Sequence, residues 1–171
     1  VKGLAAPVVF SEAPPAPEAC AVAESPAFAG RLRFARALPA DAERLLPLQE
    51  GYEKEEVIPP GDPFDRGACL ANLRSNLGRQ IVNYYEAAGI PVAKAGTNAR
   101  GLAWDQLGGV YTNVKWRGLG LARSLAARTA SERIALGRKT ALFVKTVNEP
   151  AIRAYTSAGF RMSIPFRISY I

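Results

Sequence analysis

Histidine is absent from the 171 residues, and that absence removes the Ser-His-Asp and Cys-His mechanisms together with the commonest zinc ligand. Chemistry here must run on Tyr, Asp, Glu, Lys, Cys or backbone groups. Cysteine is nearly absent too. Cys20 and Cys69 form no CxxC pair, so a disulfide framework and a metal cluster are both excluded, and a reducing, cytoplasmic setting is expected. Cys69 lies in a leucine-patterned stretch and reads as core. No apolar run approaches the ~20 residues that cross a bilayer, so no membrane partner is expected. The opening VKGLAAPVVF is short, contains Pro7 and runs into Glu12 without a clean cleavage site, and it is not read as a secretory signal.

Acidic residues are scarce in one place. From residue 115 to 145, Glu132 alone opposes Lys115, Arg117, Arg123, Arg128, Arg133, Arg138, Lys139 and Lys145, so this segment carries the whole net charge of +7. Its arginines from Arg123 to Arg138 recur every five residues, which scatters them around a helix and makes no single basic face. A pI near 9.7 raises a nucleic-acid-binding module as a rival reading. Neither an RNP-like aromatic strand nor helix-turn-helix spacing is present, and no nucleic-acid partner is expected.

The length suits one main domain. Residues 1–30 hold Pro7, Pro14, Pro15, Pro17 and Pro26 among alanines, with no period of 2 or 3.6, and read as a linker or the remnant of an upstream segment. From residue 31 the pattern changes. RLRFARA (31–37) predicts a strand; residues 39–57 predict a helix with Asp41 as its cap and a kink at Pro47. Residues 68–80, with Leu70, Leu73 and Leu77, predict a second helix, and IVNYYEA and IPVAKAG, split by Ala88 and Gly89, predict a hairpin. Residues 104–113 predict a strand whose Gly108 and Gly109 mark a bulge or a close backbone approach. A helix to Gly137 follows. TALFVK (140–145) reads as a strand buried on both faces, then come the helix EPAIRAYTSAGF and the tail FRISYI. Strand, helix and strand across 104–145 make a right-handed βαβ unit with parallel strands.

The first turn of that unit, NVKWRGLGLARSL, carries the chemistry. Glycines at a helix entry leave the first N–H groups unblocked at the positive end of the helix dipole, an arrangement that attracts phosphate. The Walker pattern GxxxxGK[ST] is absent, and GxGxxG fails because Arg123 stands where its third glycine belongs. RGLGLA instead resembles the pyrophosphate loop of the GNAT superfamily of N-acetyltransferases: Gln or Arg, two residues, Gly, one residue, Gly or Ala. Arg117, Gly120 and Ala122 fit it; so do Lys115, Gly118 and Gly120, except that Lys replaces Gln or Arg. A second segment of the same superfamily is matched by Asn148, Ala151, Tyr155, Gly159 and Phe160, in the family's order. The resemblance covers roughly residues 31–171, and DQLGGVYT and FRISY resemble a group of bacterial predicted acetyltransferases. Asn148 as a helix cap and Gly159-Phe160 as a helix ending also satisfy purely structural roles, and Tyr155 could serve in the core.

The resemblance implies an α/β (α+β) fold: a mixed, mostly antiparallel central sheet with flanking helices and one parallel strand pair that splays. It implies acetyl-CoA as co-substrate, without metal, and transfer of the acetyl group to a primary amine by direct attack. The diphosphate would rest on Gly118, Leu119, Gly120, Leu121, Ala122 and Arg123, with Arg117 adding charge and Asn148 and Tyr155 completing the site. The pantetheine arm would run along Val110, Tyr111 and Thr112. Val110 N–H is the family-style oxyanion donor and Tyr155 the acid. For the base, Asp105 is the first candidate, with Glu53, Glu55 and Glu56 behind it. Glu50, Glu53, Glu55 and Glu56 together would attract a cationic amine. A homodimer is left open, and a domain that binds acyl-CoA as a sensor without catalysis is the alternative.

Overall fold

A computed structural model describes residues 7–11, 28 and 30–165. Cys20, the tail FRISYI and most of the Pro/Ala-rich stretch lie outside them. The seven strands form one sheet in the order β2-β3-β4-β5-β6-β1-β7. They are β1 (Pro7–Ser11), β2 (Leu32–Arg36), β3 (Val82–Ala87), β4 (Ile90–Arg100), β5 (Trp104–Thr112), β6 (Lys139–Lys145) and β7 (Arg161–Pro165). Every neighbouring pair is antiparallel except β5 and β6. The helices are α1 (Ala42–Tyr52), α2 (Arg66–Arg79), α3 (Leu121–Ile134) and α4 (Glu149–Ser157).

Alternation in β3 assigns the two faces, because successive side chains on a strand point opposite ways. Tyr84 joins Leu45, Leu46, Leu48, Leu73 and Leu77 under α1 and α2. Its neighbour Tyr85 joins Val92, Leu121 and Leu125 under α3, where its hydroxyl meets Ser124 Oγ at 2.7 Å. A third cluster packs α3 and α4 on Leu107, Leu142 and Val144. The β3–β4 turn takes positive φ at both central residues, Ala88 (48°) and Gly89 (79°), the hand that matches strand twist.

Four expectations need correction. Pro7–Ser11, read with the rest of 1–30 as a linker or remnant, instead pair with β6 and β7 as β1 of the sheet. The stretch 39–57 is not one kinked helix: a 3-10 turn at Pro39–Asp41 leads into α1, which runs on through Pro47, and Glu53–Val57 closes it as a π-helical turn. Asp41 caps nothing on α1; its carboxylate accepts from Leu38 N–H and from Arg44. Nor is β6 buried on both faces. Thr140, Leu142 and Val144 are buried while Lys139, Phe143 and Lys145 are exposed, because α3 and α4 cover one face and no β6 residue joins the cluster beneath α1 and α2.

The β5–β6 ladder runs from the Trp104–Lys139 pair to Leu107–Leu142 and stops, although both strands continue. Beyond it the strands splay. On the other edge of β5 the register to β4 slips between Lys94 and Gly96, opposite Gly109 and Val110. Gly109 has φ 59°, and a Cβ on Gly108 would lie 2.0 Å from Asn98 Nδ2. The paired glycines therefore mark a bulge, and what comes close to Gly108 is the Asn98 side chain, not a backbone.

Candidate active site

Two short backbone devices build the cleft at the splay. After β5, Asn113 accepts from Lys115 N–H and starts a 3-10 turn, Val114–Trp116. Gly118 (φ 77°) and Gly120 (φ 76°) then take left-handed conformations that most residues avoid, and they turn the chain into α3. The first N–H groups of α3 have no partner within the helix, so they are donors at its positive end. Across the gap, Asn148 Oδ1 accepts from Ala151 N–H and caps α4. At the far end of α4, Gly159 N–H bonds Thr156 O and Phe160 N–H bonds Tyr155 O, a Schellman ending, with the Tyr155 and Phe160 rings edge to face.

Between these devices lies a cavity of about 710 Å³. Residues 110–112, 117–123, Asn148 and Tyr155 all line it. So do Glu55 and Glu56. Four side-chain polar atoms among the described residues are buried without a hydrogen-bond partner, and two of these, Thr112 Oγ1 and Arg123 Nε, belong to cleft residues. Beside them, the first N–H groups of α3 and the Arg117 and Arg123 guanidinium groups give the cleft a wall rich in donors. A long, polar, anionic molecule fits that donor set.

The π-helical turn bridges the two walls. From it Glu55 reaches the β5 side, accepting from the Tyr111 hydroxyl at 2.8 Å and from Arg117 Nη2 through both oxygens at 2.9 and 2.7 Å. Glu56 reaches the β6–α4 side, where its carboxylate accepts from Asn148 Nδ2 at 3.0 Å and its carbonyl from Lys145 Nζ at 2.6 Å. Burial opposes ionisation of Glu55, but Tyr111 and Arg117 hold its carboxyl below the usual range. Arg117 stacks 5.3 Å from the Tyr111 ring centroid. A Cβ on Gly51 would fall 2.3 Å from the Tyr111 hydroxyl, so glycine in the last turn of α1 makes room for that ring. Tyr155 is 8% exposed; burial, then the nearby Tyr52 and Glu56, push its hydroxyl far above an ordinary phenol, so it stays protonated.

Asp105 is not in this cleft. It is fully buried at the closed end of the β5–β6 pair, bound to Arg133 Nε at 2.6 Å and Arg138 Nη2 at 3.0 Å. Burial alone would raise its carboxyl, but the two guanidinium groups hold it below the ordinary value. A carboxylate so held is a poor proton acceptor, and its assignment as base is withdrawn. The acid cluster is also less open than its spacing suggests. Glu50 pairs with Arg66 and Lys54, Glu55 with Arg117 and Glu56 with Lys145, while Glu53 accepts from Gln49.

Sequence reasoning missed Lys94 and Tyr52. Lys94 is 4% exposed, and its ammonium donates to Gly109 O at 2.8 Å beside the Tyr52 ring. The available signal was a lysine inside the otherwise uncharged strand IPVAKAG.

Residues 89–167 match the family described as FR47-like protein. No curated protein matches the chain in sequence. Among solved structures, a GNAT-family protein from Novosphingobium aromaticivorans is similar with TM-score 0.67 and 21% identity, over 95% of this chain and 62% of that one. A GCN5-related N-acetyltransferase-like protein from Streptococcus suis gives TM-score 0.64 at 15% identity, over 94% and 59%. A protein of Salmonella typhimurium solved with its cofactor acetyl-CoA gives TM-score 0.64 at 20% identity, over 78% and 82%. The chain thus spans about three-fifths of the length of the first two, and at these identities the likeness carries the fold.

Proposed function

We propose, from its likeness in fold to GNAT-family structures and its match to the FR47-like family over residues 89–167, that the chain is a GNAT-superfamily, acetyl-CoA-dependent N-acetyltransferase acting on a primary amine. One observation carries this reading: a single cleft is lined by residues 118–123 at the start of α3, by Thr112 beside them on β5, and by the buried Tyr155.

Residues 118–123 and Arg123 hold the diphosphate of the coenzyme through main-chain N–H groups and one guanidinium. Along β5, residues 110–112 lie on the edge that β6 has left, and that edge takes an extended chain as a strand would. Bound there, acetyl-CoA supplies the acetyl group as an activated thioester. Val110 N–H donates to the carbonyl oxygen as negative charge develops on it. Tyr155, kept protonated by burial, holds the proton that the departing sulfur requires. Asn148 holds the end of α4, and with it Tyr155, against the π-helical turn.

The test is a panel of primary amines with acetyl-CoA and detection of released thiol. Turnover is expected with at least one amine. Tyr155→Phe is expected to lower kcat about a hundredfold, the usual scale for a positioned acid, while acetyl-CoA affinity stays within twofold. Coenzyme binding without turnover on any amine would favour the sensor alternative; unchanged kcat in Tyr155→Phe would remove the acid.

A further inference from the structure

Outside the cleft, and apart from the Asp105 pair, a further buried ionisable centre among the described residues lies between α1, α2 and the β4–β5 bulge. Lys94 stands at its middle. Its ammonium donates to Gly109 O at 2.8 Å and lies 4.9 Å from the Tyr52 ring centroid, against a small second cavity of about 90 Å³. Glu53 from the π-helical turn and Cys69 from α2 face it, and Tyr84 of β3 and Tyr111 of β5 are its cross-strand neighbours. Gly109, in left-handed conformation at the bulge, is therefore held through its carbonyl by an ammonium that itself rests on the Tyr52 ring.

The Gly109 carbonyl belongs to the same peptide unit as the Val110 N–H. A cation on the carbonyl oxygen pulls electron density through the amide and makes its N–H a stronger donor, since hydrogen bonds in series polarise one another. It also fixes the plane of that peptide at a bulge where the ladder to β4 has slipped. We propose that Lys94 is a positioning residue for acetyl transfer, whose ammonium fixes and polarises the Gly109–Val110 peptide and so strengthens the Val110 N–H as a donor to the developing oxyanion. This rests on the reading of Val110 as that donor. Burial lowers Lys94 to about 8, with Cys69 and Glu53 opposing the fall, so the clamp is charged at neutral pH and loses its charge just above it.

The test follows the Val110 amide proton and nitrogen shifts by NMR from pH 6.5 to 9.5 in the unliganded wild-type protein, which needs no variant to fold. The expected result is a titration with midpoint near 8 that is absent in Lys94→Met. In the amine assay, Lys94→Met is expected to lower kcat about tenfold with acetyl-CoA affinity within twofold, and Lys94→Gln, which retains an N–H donor, to recover part of the loss. A Val110 shift that ignores pH, or a kcat unchanged by Lys94→Met, overturns the proposal. A titrating shift in a chain that turns over no amine overturns the acetyltransferase reading instead and leaves the peptide clamp standing.

Discussion

Asp105 has no solvent around it and two guanidinium groups against it. Arg133 is itself 6% exposed, and Asp105 is the carboxylate that pairs with it. Removing the acid leaves a buried cation without a counter-charge, and Asp105→Ala is expected to cost about 3–5 kcal/mol in urea unfolding while acetyl-CoA affinity in the folded fraction is retained. A cost under about 1 kcal/mol would show that water reaches the pair. The acid side follows from the sign of the shift. The folded carboxyl titrates below its unfolded value of 3.8, so the pair's contribution is complete above that pH and is lost as pH falls through the lower, folded value. Nothing near Asp105 in the sequence announces this partner. Arg133 lies 28 positions away, and the five-residue spacing of the arginines concealed that Arg133 and Arg138 converge on one acid. Tyr155 was legible for the opposite reason, since the cap, ring and glycine that place it occur within thirteen consecutive residues.

Among elements, the β5–turn–α3 unit was readable because it is made of backbone chemistry: glycines that permit positive φ and a helix entry; the cap that Asn113 supplies to the turn was not read. The π-helical turn was not readable. Its five residues read as the end of α1, and only the folded chain shows Glu55 and Glu56 gripping opposite walls of the cleft. The burial of β6 was unreadable on the same ground, because which faces the helices cover is decided by tertiary packing. One prediction belongs at this scale. Glu55 neutralises Arg117 inside the cleft proposed to receive an anion, and the pair is 42–45% exposed, which limits its strength to the range of surface pairs. Glu55→Gln is therefore expected to free Arg117 and tighten acetyl-CoA binding about threefold by calorimetry. Weaker binding would mean that Glu55 holds Arg117 in its binding position.

Across the whole molecule, six of the eight cations in the 115–145 segment meet partners within the chain itself. Arg117 meets Glu55, Arg133 and Arg138 meet Asp105, and Lys145 meets Glu56. Arg128 lies 4.3 Å from the Phe34 ring centroid and Lys139 5.4 Å from that of Trp104. These contacts tie the basic segment to the elements around it. The same plan places β1 between β6 and β7, so residues near the start of the chain lie beside the strand that forms one wall.

The central claim is that the amides of residues 118–123, with Arg123 beside them, seat a diphosphate at the splay of β5 and β6. The most direct test is a crystal structure with acetyl-CoA at saturating concentration. The account expects the diphosphate within hydrogen-bonding distance of those amides and of Arg123 Nε, with the thioester oxygen at Val110 N–H. A coenzyme bound anywhere else, or a cleft still closed by Glu55 and Arg117 with no coenzyme in it, would contradict it.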